Sequence, residues 1–97
     1  GAPVALWIFA NPEMKYTALV DTGIFMQNIM LSATSKGLGT CPQGALNLWR
    51  DPVDKYFDVP NGYELVCGIS LGYPSDAKVN QYRPEKLSVK ELLVPKK

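Results

Sequence analysis

Between Met14 and Cys41 the chain has no proline, and before Gly37 its only glycine is Gly23. Over this stretch apolar residues fall at Leu19, Val20, Ile24, Ile29, Met30 and Leu31, with Ala33 beyond. Spacings of three, four and five predict a helix with more than one apolar stripe. Polar residues come only in short groups, so no broad water-facing side is marked, and a helix buried on most sides is expected. Its end is set by Lys36 in the last turn, Gly37 as a left-handed cap and Leu38 folding back. Two starts are open: an early turn at Asn11-Pro12, or a beginning near Thr17. A Pro-Gln-Gly loop at Pro42, Gln43 and Gly44 is expected to follow. Buried amides need partners, so Gln27 and Asn28 are expected to meet either neighbouring backbone or a polar ligand.

Elsewhere the pattern is shorter. Residues 4–10 (VALWIFA) form a continuous apolar run that stops at Asn11-Pro12, which predicts a strand covered on both faces with Trp7 in the core. Residues 45–50 predict a short helix. Asp51 as N-cap and Pro52 in the first helical position predict another turn or two through Phe57. Val59-Pro60-Asn61-Gly62 reads as a turn. Residues 63–73 (YELVCGISLGY) read as a second strand, in which Gly68 and Gly72 signal a bulge or a close approach. Residues 76–84 are expected to form an ordered loop, and the apolar run 87–94 a tail that docks on another surface. Two strands do not make a stable sheet alone. Either the domain oligomerises or a further segment completes it.

Length and composition narrow the chemistry. The 97 residues support at most one domain, 46% of them are hydrophobic, and the net charge is +1. Charges are scattered, with no basic face of the kind nucleic acid needs. No apolar run reaches membrane-spanning length. There is no histidine, and Cys41 and Cys67 lack CxxC spacing, which speaks against zinc and against catalysis by a histidine base. Two reduced thiols in a cytoplasmic protein are expected.

Taken in order, the segments APVALWIFA, DTGIFMQNIMLSATSKGLGT, CPQG, PNGYELVCGISLGYP and VNQYRPEKLSVKELL resemble the C-terminal half of the nitroreductase-type FMN-dependent oxidoreductases. The second carries the pattern D-x-G-x-x-x-Q-N-x-x-L-x-A followed by G-L-G. The resemblance covers nearly all of the chain. It implies an α+β fold in which a long central helix packs on a mostly antiparallel sheet. It also implies a homodimer joined through that helix, with the C-terminal tail crossing to the partner. The family uses FMN to pass hydride from NAD(P)H to nitroaromatics, quinones or similar acceptors, chemistry that the flavin supplies without a protein base.

The resemblance also implies site residues. Pro42, Gln43 and Gly44 match the loop whose backbone amides face the flavin N5 and the neighbouring carbonyl. Family members often carry an acidic residue where Gln43 stands. Arg83 and Lys86 match basic positions near the FMN phosphate, for which guanidinium and ammonium groups are suited. The Arg/Ser-rich segment with which the family's N-terminal half grips the phosphate has no counterpart here. A truncated half, inactive alone, is therefore expected. The alternatives are a non-catalytic dimerisation or binding module of the same fold, or a related flavin reaction such as reductive dehalogenation or flavin fragmentation.

Overall fold

The computed structural model describes residues 1–97. Three strands, β1 (Val4–Ala10), β2 (Gly39–Gln43) and β3 (Glu64–Gly72), form an antiparallel sheet in the order β1-β3-β2. The long helix α1 (Lys15–Ser35) packs against β1 and β2. Gly44–Trp49 is a 3-10 turn that leads into α2 (Arg50–Asp54), and Val89–Leu92 forms a last helical turn, α3. This is an α+β fold.

The expected Pro-Gln-Gly loop is corrected here: Pro42 and Gln43 belong to β2, whose pairs with β3 run from Gly39↔Gly72 to Gln43↔Gly68. Proline is tolerated because β2 is an edge strand, where a missing N–H need not break a ladder. The sheet thus gains the third strand that sequence reasoning lacked. Its register also separates the two thiols. Cys41 stands opposite Ser70, whereas Cys67 lies one residue before Gly68 and so on the other face. Both are free.

The central strand is the best-buried element, with Leu65, Cys67, Gly68 and Ile69 all buried and Ile69 only 1% exposed. Its glycines mark close approaches. A Cβ on Gly68 would lie 2.5 Å from Leu46 Cδ1, and one on Gly72 would lie 2.7 Å from Pro3 Cδ. The bulge falls elsewhere, where Ile8 pairs with Cys67 and Phe9 with Leu65, leaving Val66 as the extra residue. Trp7 is half-buried rather than enclosed.

Both proposed helix starts are partly realised. Asn11 caps a 3-10 turn over Pro12–Met14, accepting from the Glu13 amide at 3.0 Å. Lys15, at φ 47°, then bends the backbone into α1. The stop is a Schellman motif: the Leu38 amide donates to Ala33 and the Gly37 amide to Thr34, both at 3.0 Å, with Gly37 at φ 73°. The start of α2 is corrected. The helix begins at Arg50, so Asp51 and Pro52 sit inside its first turn, and the cap position is Trp49 without a side-chain bond. Arg50 donates to the Asp54 carboxylate at 2.8 Å and to the carbonyl of Tyr63, fastening α2 to the approach to β3.

The expected all-round burial of α1 does not hold within one chain. Ala18, Thr22, Met26, Ile29, Met30 and Ala33 make a single inward stripe. Val20, Ile24 and Leu31 point away from the sheet, Leu19 and Phe25 lie beside the stripe, and all five are more than half exposed. Gln27 and Asn28 are exposed too, and neither side chain makes a hydrogen bond. The chain exposes 8341 Å², about half as much again as the roughly 5,500 Å² of a closed protein of its mass. Its radius of gyration is 16.4 Å, against about 13 Å for a compact domain of this size. The apolar tail 87–94 is likewise exposed.

Two consequences can be measured. Gly37→Ala puts a Cβ into the left-handed region and should cost about 1 kcal/mol in a urea titration of the purified protein. A Gly37→Asn variant should recover part of that loss. In α3, Ser88 and Glu91 form a reciprocal capping box, and the hydrogen bonds from the Ser88 hydroxyl and amide hold the Glu91 carboxyl below its ordinary value. A depressed carboxylate favours the ordered turn above its unfolded titration range, and the advantage is lost as pH falls through its folded value. The Glu91 carboxyl carbon, followed by NMR, should therefore titrate below an ordinary glutamate, and Ser88→Ala should move it back up.

Candidate functional site

The corner where β2 becomes the 3-10 turn is the candidate site. Gln43 is the last strand residue, and its backbone leaves the regular range at φ −129°, ψ 83°. The 3-10 pattern bonds each amide to a carbonyl three residues back, so the amides of Gly44 and Ala45 have no partner inside the turn. Neither donates any of the backbone hydrogen bonds that lie outside the regular elements. The space a Cβ would take on Gly44 has no atom within 4 Å, so a flat group can approach this backbone closely. Fixed amide donors beside open space suit a group that gains negative charge during reaction.

The Gln43 side chain does not face that space unattached. Its Oε1 accepts a hydrogen bond from Ser70 Oγ at 2.8 Å, across the strand pair. Sequence reading missed Ser70, because the bond joins positions 27 apart and follows only from the β2–β3 register. Cys41, exposed, lies on the same sheet face. Beside it a cleft of about 430 Å³ is lined by Thr40, Cys41, Ser70, Tyr73, Ser75 and Asn80, among others.

The structure brings Pro42, Gln43 and Gly44 together as one corner and leaves the basic pair apart from it. Arg83 Nη1 donates to the carbonyls of Asn80 at 2.8 Å and Tyr82 at 3.0 Å. Asn80 in turn donates to the Ser75 carbonyl at 3.0 Å and lines the cleft beside Cys41. Arg83 is thus tethered at the rim of that cleft, with its Nε and Nη2 donors unbonded. Lys86 is exposed and makes no hydrogen bond or ion pair. Of the two, Arg83 is the one with a defined position.

The fold and the family follow from likeness to known proteins. A profile of the nitroreductase family matches residues 1–73. The 4-nitrobenzoate reductase of Pseudomonas putida is 38% identical over 84 residues, an alignment that covers 86% of this chain and 37% of that protein. The FMN-dependent nitroreductase NfnB of Mycobacterium smegmatis, solved in complex with NADPH, superposes with a TM-score of 0.89 at 32% identity, covering 99% of this chain and 43% of that one. A nitroreductase with bound FMN from Desulfitobacterium hafniense superposes at 0.72 with 28% identity, covering 100% and 52% respectively. The chain therefore spans about two-fifths to one-half of the length of these relatives. The α+β fold is that of the nitroreductases, and the chain belongs to the nitroreductase family.

Proposed function

We propose that these residues form the C-terminal half of an FMN-dependent oxidoreductase that takes hydride from NAD(P)H and delivers it to a nitroaromatic, quinone or similar small acceptor. The observation that carries this reading is the corner at Pro42, Gln43 and Gly44, with open space above Gly44 and amide donors left without partners. It is supported by likeness to proteins whose names state FMN and NADPH, and by a curated relative named for FMN reduction with NADPH. FMN, when bound, supplies the hydride chemistry. The protein's share is to hold the ring, stabilise its charge and keep a face open to two substrates in turn. No histidine is needed for any of this, and none is present.

Pro42 stiffens the exit from β2. The amides of Gly44 and Ala45 donate toward the ring, and Arg83, with Lys86 as the second cation, is assigned to the phosphate. The uncovered side of α1 and the apolar tail fit a homodimer, each chain covering the other's exposed Leu19, Ile24, Phe25 and Leu31. A surplus near 2,800 Å² per chain is ample for an obligate interface, which buries about 2,000–5,000 Å² in total. On this reading the 97 residues alone hold only part of the flavin site and do not turn over, and the intact protein works in the cytoplasm. No helix of the chain is long and apolar enough to cross a membrane.

The test uses the protein in which this chain is complete. It should take up FMN, turn yellow and oxidise NAD(P)H in the presence of a nitroaromatic. Arg83→Ala should weaken FMN binding about 10- to 100-fold, the range of a lost charge-assisted contact. Lys86→Ala should weaken it less. A protein that forms dimers yet takes up no FMN would instead be a binding module of the same fold.

A further inference from the structure

The corner that offers the Gly44 and Ala45 amides is held from both sides. Before it, Gln43 Oε1 accepts from Ser70 Oγ at 2.8 Å. After it, Leu46 lies on the central strand, its Cδ1 2.5 Å from where a Gly68 Cβ would stand. Both anchors are on one sheet face, since Gln43 pairs with Gly68 and Ser70 is two residues further along β3. No atom lies within 4 Å of where a Gly44 Cβ would stand, so no packing there competes with these two anchors in setting which way its amide points. Glycine there is free to rotate, and removing one anchor releases it.

We infer that Ser70 is a positioning residue: by holding the Gln43 side chain against β3, its hydroxyl fixes the direction of the Gly44 and Ala45 amides toward the flavin. This rests on the flavin reading above. It also gives the glutamine a role that an acidic residue would fill differently. A carboxylate at this position would accept from Ser70 equally well but would set a negative charge beside a ring that itself becomes negative on reduction. The neutral amide keeps the anchor without that repulsion.

The experiment uses Ser70→Ala and Ser70→Thr in the complete protein, with two readouts. In the flavin-free protein, the NMR order parameters of the Gly44 and Ala45 amides should fall from the rigid value of about 0.85 toward about 0.6 in Ser70→Ala and return toward normal in Ser70→Thr. With FMN bound, Ser70→Ala should lose up to about tenfold in its preference for reduced over oxidised flavin. For a two-electron couple that is a fall of about 30 mV in midpoint potential. The urea midpoint should stay unchanged, which separates positioning from folding. Unchanged order parameters overturn the inference, and so does a loss of order with an unmoved potential. Failure of the wild-type protein to take up FMN would instead sink the flavin reading, and the order parameters would still decide whether Ser70 fixes the corner.

Discussion

Everything else in the chain hangs on the pairing of the central strand with both of its neighbours. Strand β3 is the only element with a partner on each edge, and most of the buried side chains belong to it or touch it. Its two glycines let other segments close on it, Leu46 over Gly68 and Pro3 over Gly72. A side chain at Gly68 would force the end of Leu46 to turn aside, and one at Gly72 would press on the Pro3 ring. The packing of Leu46, and with it the 3-10 turn beside the corner at Gly44, uses the absence of a side chain on the opposite strand.

The parts of the fold that local physics dictates were legible in the sequence. The helix stop at Lys36, Gly37 and Leu38 depends only on backbone conformations and bonds within six residues, and it forms as its residues require. The strands at 4–10 and 64–72 follow from short apolar runs bounded by turns. The edge strand at Gly39–Gln43 was not legible, because glycine and proline speak against a strand and only the ladder with β3 overrides them. Asp51 and Pro52 gave the opposite error. They carry a helix-start signal, but the preceding 3-10 turn runs straight into Arg50 and leaves no room for a cap.

The site was legible only in part, for a related reason. The Pro-Gln-Gly segment stood out through resemblance, yet what holds it, Ser70 and Leu46, comes from the register and from side-chain packing. Arg83 and Lys86 looked equivalent as letters. The difference between them is a set of carbonyl contacts made by one and not by the other.

The outward face of α1 bears on how this molecule counts its own parts. Leu19, Ile24, Phe25 and Leu31 are as apolar as any core residue, yet within the chain each leaves more than half its surface to water. Whatever surface covers them enters the folding equilibrium itself, so the thermodynamic unit is larger than the chain. A cover supplied by a second copy would make the melting temperature depend on protein concentration, whereas a cover from the same polypeptide would not.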